Sequence, residues 1–137
     1  MSGRRKARKR ALDILFAADV RSIPVEEALE SEAQRAVNEP DRESSWTYAR
    51  EIVDGVIDNS VVIDEIIETH ARGWTIARMP AVDRAILRMG VWELRFNASV
   101  PPAVVVSECV ELATLLSTDD SPSFINGVLG AISALPR

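Results

Sequence analysis

The sequence has few of the residues on which disulfide bonds and metal sites depend. Its 137 residues include a single cysteine, Cys109, and a single histidine, His70. One cysteine excludes a disulfide bond within the chain and indicates a reducing compartment, and this pair cannot supply the usual ligands of a zinc site. We therefore expect neither a metal nor a cofactor. A chain of this length can instead be stabilised by burying an apolar core.

Long apolar segments are also missing. No apolar run approaches the roughly 20 residues that a membrane-spanning helix needs. Asp13 and Asp19 interrupt the segment after the basic N-terminus, where a secretory signal peptide has an unbroken apolar stretch. These absences predict a cytoplasmic protein that has no membrane as a partner.

The motifs of common enzyme classes are absent as well. The sequence contains no glycine-rich phosphate-binding loop, no nucleophile elbow and no histidine pair spaced for a zinc hydrolase. His70 ends an apolar helical stripe and Cys109 lies among apolar residues, so both are interpreted as packing residues. We predict that the protein is not an enzyme.

Basic residues are concentrated in one short segment. The chain has 16 Lys and Arg against 21 Asp and Glu, a net charge of −5. Without the six bases of this segment, the chain keeps ten bases against 21 acids and carries −11; the six are Arg4, Arg5, Lys6, Arg8, Lys9 and Arg10. Such a segment is either a solvated terminus or a phosphate-binding patch. In the second case the acidic remainder of the protein would repel nucleic acid, so binding would be limited to this segment. A small RNA site fits this distribution better than a DNA duplex.

Apolar residues recur with a period near 3.6, which predicts helices along the whole chain. The helices are expected at about residues 4–20, 24–37, 44–70, 80–96, 103–117 and 121–135, with a bend or restart at Ser60 and Ser121 as the cap of the last. The composition changes between Gly73 and Pro80. The sequence thus predicts an all-α fold of two small helical bundles packed together, with six to seven helices in a single domain over residues 1–137. Its N-terminal subdomain would cover about 4–73 and its C-terminal subdomain about 80–135.

Several side chains have a predicted environment. The helix at 80–96 is apolar nearly all round, so we expect it to be central and buried. Its polar stripe consists of Arg84, Arg88 and Arg95. Glu93 lies opposite this stripe, so it should point inward and need a hydrogen-bonding partner. Trp74 is the tryptophan expected to offer an exposed stacking surface, and Gly127 is expected at a close contact between helices.

Three blocks of the sequence resemble the NusB family of bacterial transcription antitermination factors. The first is RRKARKRALDILF at residues 4–16, and the second is VDRAILR at 82–88 followed by WEL at 92–94. The third combines VP at 100–101, SECVELA at 107–113 and DSPSFINGVL at 120–129. The blocks span nearly the whole chain, and the segments at 72–74 and 117–122 are most similar to those of actinobacterial members.

The resemblance implies a helical RNA-binding factor that forms a heterodimer with the small-subunit ribosomal protein also called NusE. The heterodimer would bind the boxA element of ribosomal-RNA leader transcripts within an RNA polymerase antitermination complex. By motif position, the RNA contacts would come from Arg4, Arg5, Lys6, Arg8, Asp120 and Phe124. The NusE-facing residues, expected on one exposed patch, would be Phe16, Asp83 and Leu116.

Some alternatives stay open at the level of the sequence. A chaperone of rRNA processing or ribosome assembly could share the RNA site without acting on polymerase, and an enzyme of unknown type is a more distant alternative. The free protein could be a monomer or a homodimer, because apolar helix faces could serve either NusE or a second copy. Phe124 could be a core residue rather than a stacking ring.

Overall fold

The computed structural model describes residues 3–37 and 43–136, which form seven α-helices and one short 3-10 helix. The 3-10 helix, Ile76–Arg78, lies between α4 and α5. The α-helices are α1 (Gly3–Arg21), α2 (Val25–Val37), α3 (Glu43–Asp58), α4 (Ser60–His70), α5 (Ala81–Phe96), α6 (Pro102–Leu116) and α7 (Ser121–Ser133). The all-α prediction is confirmed. In the described residues, none of the helices combines the length and the apolar character needed to cross a bilayer.

The helix boundaries follow local features of the sequence. Proline is the second residue of α7 and the first of α6, where its missing N–H removes no helical hydrogen bond. The predicted restart at Ser60 is confirmed: Asn59 separates α3 from α4, and its side-chain amide donates to the carbonyl of Gly55 at 2.8 Å. The expected cap of α7 is wrong. Asp120 holds the N-cap position, and Ser121 is the first helical residue.

Helix α5 is the centre of the core, as its apolar composition predicts. It packs against α1, α3, α4, α6 and α7. Its fully buried side chains include Ile86, Leu87, Met89, Val91 and Leu94. The helices α1 to α3 pack against one another, and so do α5 to α7, while α4 contacts mainly α5 and α7. A division into two subdomains near residues 73–80 stays a prediction.

The tight glycine contacts lie elsewhere than expected. A Cβ atom on Gly127 would meet nothing within 4 Å, so the predicted close contact there is wrong. A Cβ on Gly55 would lie 1.8 Å from Nε1 of Trp92, and one on Gly90 would lie 2.8 Å from Cδ1 of Leu129. The absence of a side chain thus allows α3 to approach α5, and α5 to approach α7.

Candidate nucleic-acid interface

The N-terminal turns of α1 present basic side chains to solvent. Arg4 and Lys6 are exposed. The Arg4 guanidinium lies over the ring of Tyr48, with its central carbon 4.4 Å from the ring centroid, which is the geometry of a cation–π contact. This contact fixes the direction of Arg4 without neutralising its charge. Both side chains are therefore accessible to an anion, and their contact with RNA stays a prediction.

Arg5 can bind an anion only if that anion competes with the carboxylates that already pair with it. Its Nε lies 3.0 Å from a carboxylate oxygen of Glu108 and its Nη2 lies 3.0 Å from one of Glu111, both on α6. The Arg5 side chain is 40% exposed, so solvent screens these pairs and they contribute little to stability. A phosphate group would have to displace a carboxylate to bind Arg5.

Arg8 is almost fully buried, at the base of the surface, and the prediction that it faces RNA is wrong. Its side chain is 3% exposed, and Glu93 is fully buried. The guanidinium donates from Nε and Nη2 to the two Glu93 oxygens at 2.7 and 2.9 Å. Arg8 shares the face of α1 that carries Leu12 and Leu15, and this face packs against α5, so the side chain is drawn into the core.

The carboxylate of Glu93 is the centre of a buried polar network. Tyr48 donates its hydroxyl hydrogen to Glu93 at 2.7 Å, and the side-chain amide of Asn97 donates to the Tyr48 oxygen at 3.0 Å. Burial alone would lower the pKa of Arg8, but its hydrogen bonds to Glu93 and the charge of Glu93 hold that pKa above its ordinary value. Burial, followed by the charge of Glu93, raises the pKa of Tyr48, which keeps the phenol neutral. The expected inward position of Glu93 is confirmed.

A shallow groove separates the basic end of α1 from the C-terminal half of α6. We call it the basic groove; it encloses about 130 Å³ and is lined by Arg5, Arg8, Lys9, Glu108, Glu111, Leu112, Leu115 and Leu116. Leu115 is 70% exposed and Leu116 is 42% exposed. An RNA-binding candidate, Arg5, and a partner-binding candidate, Leu116, thus lie on one surface. Phe16 is half-buried further along α1.

Asp83 is buried, and the prediction that it lies on an exposed patch is wrong. Its side chain is 3% exposed. One carboxylate oxygen accepts a hydrogen bond from Ser117 at 2.5 Å and the other accepts one from Ser121 at 2.9 Å. Asp83 therefore joins the first turn of α5 to the end of α6 and the start of α7. This is also why the Ser121 hydroxyl is turned inward.

A second concave surface lies at this junction. We call it the aromatic cleft; it encloses about 280 Å³ and is lined by Trp74, Met79, Pro80, Asp83, Thr118, Asp120, Ser121 and Phe124. The ring centroids of Trp74 and Phe124 are 6.0 Å apart in an edge-to-face contact. Trp74 is 49% exposed, as predicted, whereas Phe124 is partly buried against the core and Asp120 is exposed. Two RNA-binding candidates, Asp120 and Phe124, share this cleft with Trp74.

The arginines of α5 and the cysteine that the sequence analysis named have structural roles. Arg84 forms an ion pair with Asp19, and Arg88 donates to the carboxylate of Asp64 at 2.9 and 3.1 Å, so these two residues of the arginine stripe join α5 to α1 and α4. Burial raises the pKa of the Cys109 thiol. No group of three or more His, Cys, Asp or Glu side chains among residues 3–37 and 43–136 could hold a metal ion.

Comparison with known sequences identifies one family over nearly the whole chain. The profile of the NusB family matches residues 5–134. The chain is 69% identical over 133 residues to the transcription antitermination protein NusB of Leifsonia xyli subsp. xyli, covering 97% of this chain and 92% of the relative. It is 58% identical over 134 residues to the protein of the same name from Clavibacter sepedonicus, with 98% of each chain covered.

A comparison with solved structures agrees with the sequences. A crystal structure described as the antitermination factors NusB and NusE in complex with dsRNA contains a chain with a TM-score of 0.81 to this one. The two chains are 32% identical, and the match covers 97% of each. This chain therefore shares its helical fold with a chain of that structure.

Proposed function

The chain belongs to the NusB family of transcription antitermination proteins, and from this membership we propose that it binds RNA together with a partner protein. The relatives' shared name favours antitermination over the role in rRNA processing or ribosome assembly that the sequence left open. The proposed partner is NusE, the proposed RNA is a boxA element, and the proposed site of action is the cytoplasmic RNA polymerase antitermination complex. The proposed action is adaptor-like, without catalysis.

The observation that carries this proposal is the exposed basic end of α1 on an acidic protein. Arg4 and Lys6 are accessible, and Arg5 becomes accessible when its carboxylate partners yield. Because the chain carries −5 overall, phosphate groups are attracted to this segment and repelled by most of the remaining surface. We therefore assign phosphate binding to Arg4, Arg5 and Lys6, and we assign RNA contacts at the aromatic cleft to Asp120 and Phe124.

The proposed partner surface is apolar. Leu116, next to the more exposed Leu115, offers apolar area at the end of α6, and Phe16 offers part of its ring on α1. Exposed apolar side chains of this kind stabilise a protein–protein contact when a partner covers them. Asp83 and Arg8 are not proposed as contacts, because both are buried.

The test is RNA binding with and without NusE. We expect boxA RNA to bind more tightly than a scrambled RNA, and NusE to raise that affinity by a factor in the usual range of about 5 to 150 for coupled sites. By linkage, boxA RNA must raise the affinity for NusE by the same factor. Both quantities can be measured by titrating fluorescent RNA with the chain at fixed NusE, and labelled NusE with the chain at fixed RNA.

A matched pair of variants locates the partner surface. Leu116→Asp is expected to weaken NusE binding, whereas Val61→Asp, at an exposed position of α4, is expected to leave it unchanged. Val61→Asp should alter the free energy of unfolding by no more than about 0.5 kcal/mol, because Val61 is 71% exposed. Leu116→Asp should cost about 1 kcal/mol, because it places a negative charge at the C-terminus of α6, and it should leave the protein folded. Equal RNA affinity with and without NusE, or equal NusE affinity of the two variants, contradicts the proposal.

A further inference from the structure

Trp74 is held at the surface by a short turn. The turn follows α4, and Gly73 adopts a φ of +79° in it, a conformation that residues with a side chain rarely adopt. The Trp74 amide donates to the carbonyl of Ala71 at 2.9 Å, which closes the turn. Half of the indole is thereby left in water, although a tryptophan gains more from burial than most residues.

Phe124 fixes the position of that indole. Phe124 is partly buried and packs against the core from α7, and it meets Trp74 with an angle of 60° between the ring planes. An edge-to-face contact of this kind is the favoured arrangement of two aromatic rings. It leaves part of the indole surface of Trp74 open to solvent. The ring is thus preorganised, which lowers the entropy cost of stacking another ring upon it.

The aromatic cleft adjoins the basic groove. Leu116 lines the groove and Thr118 lines the cleft, so the chain connects the two surfaces over two residues, at most about 7 Å. A strand whose phosphates lie at the basic end of α1 could therefore continue past the end of α6 to the cleft. No lysine or arginine is among the residues that line the described cleft, and Asp120 carries a negative charge there. A phosphate group is disfavoured in the cleft, whereas a neutral flat ring is not.

We propose that Trp74 is a stacking platform for one unpaired base of the bound RNA, positioned by Phe124. The inference rests on the proposed RNA-binding function and adds a base-binding residue to it. Stacking uses the face of a base, which all four bases present, so Trp74 contributes affinity for single-stranded RNA without selecting the base. Asp120 lines the same cleft as Trp74, so its carboxylate is a candidate acceptor for an N–H group on the edge of the stacked base.

The test compares three variants in RNA binding. Trp74→Ala is expected to lower the affinity for single-stranded boxA RNA, measured at saturating NusE, by about 5- to 150-fold, the usual effect of losing one aromatic stacking partner. Trp74→Phe retains a ring and should recover most of this loss. Phe96→Ala is the control: Phe96 is 43% exposed, and it lies about 20 Å from Asp83 along α5. It should bind RNA like the parent.

A spectroscopic measurement identifies the stacked base. Replacing single bases of the RNA by 2-aminopurine should reveal one position whose fluorescence is quenched by the parent protein and not by Trp74→Ala. Trp74→Ala also loses the edge-to-face contact with Phe124, which lowers the stability of the variant. Circular dichroism at the temperature of the binding assay should show that the variant is folded, which separates lost stacking from lost structure.

Each other outcome contradicts the inference in a different way. If the parent binds RNA and Trp74→Ala binds equally well, the platform is absent while the proposed function stands. If Trp74→Ala weakens NusE binding in the absence of RNA, the cleft is a protein contact instead. If the parent protein does not bind RNA with NusE present, the proposed function falls together with the platform.

Discussion

Glu93→Leu is expected to lower the free energy of unfolding by about 3–5 kcal/mol, because the buried Arg8 guanidinium loses the carboxylate that accepts its two hydrogen bonds. The carboxylate of Glu108, 3.9 Å from Nη1 of Arg8, remains as a longer ion pair. The cost arises from desolvation: Arg8 is 3% exposed, so water cannot replace the two lost hydrogen bonds. The Tyr48 hydroxyl also loses the acceptor that it has in the parent protein. Urea denaturation followed by far-UV circular dichroism measures the effect as a shift of the midpoint at constant slope.

The double variant distinguishes a buried ion pair from simple loss of packing. Removing both charges with Arg8→Met and Glu93→Leu should restore much of the stability, since replacing a buried pair by apolar groups is often close to neutral. A deficit of about 1–3 kcal/mol should remain because the O–H of Tyr48 has lost its acceptor, although its oxygen still accepts from Asn97. Lys9→Met is the control, because the ion pair of Lys9 with Asp13 is about half exposed, and it should cost less than about 1 kcal/mol. Additive effects of the two single substitutions would contradict this description.

Asp83→Lys is expected to destabilise the protein by roughly 3 kcal/mol or more, because it places an unpaired ammonium group where two serine hydroxyls now donate. The substitution also removes a negative charge from the first turn of α5, where the helix dipole favours one. Chemical denaturation measures the loss. The milder Asp83→Asn keeps one acceptor oxygen and should cost about 1–2 kcal/mol.

The control for this site is an exposed aspartate. Asp58 lies at the end of α3, and Asp58→Lys should change the stability by no more than about 0.5 kcal/mol. A melting curve for Asp83→Lys that matches those of the parent and of Asp58→Lys would show that Asp83 is accessible, as the sequence had suggested.

The helices were predictable because their signals are local. The 3.6-residue period, the prolines at the starts of α6 and α7, and the break before Ser60 each depend on a few neighbouring residues. The central position of α5 was predictable for the same reason, since a helix that is apolar nearly all round has to be buried. The inward position of Glu93 followed from the same helical wheel.

The two wrong site residues show where local signals fail. Arg8 was grouped with its basic neighbours, although it is spaced four and seven residues before Leu12 and Leu15 on the buried face of α1. Asp83 is spaced three and four residues before the buried Ile86 and Leu87. Both spacings can be recognised from the sequence alone. The partners were not, because Glu93 and Ser121 lie 85 and 38 residues away and only the fold brings them close.

The ion pairs of Arg5 and the contact between Trp74 and Phe124 also join residues that are distant in the sequence, so they could not be predicted from local signals. Glu108 and Glu111 reach Arg5 across 103 and 106 residues of sequence. The exposure of Trp74 was predictable from its loop position, whereas its neighbour from α7 was not. Gly127 shows the opposite error: a helical glycine was interpreted as a packing contact, and the tight contacts are at Gly55 and Gly90.

The salt dependence of RNA binding tests directly whether the basic end of α1 binds phosphate groups. If Arg4, Arg5 and Lys6 neutralise three phosphates of single-stranded RNA, log affinity should fall with log salt with a slope of about −2, which is roughly 20-fold between 50 and 200 mM salt. Replacing the three residues with Ala should bring the slope close to zero and weaken boxA and scrambled RNA equally, because phosphate contacts carry no sequence information. The same slope in the parent and in the triple variant would contradict the assignment of the basic end of α1 as the phosphate-binding surface.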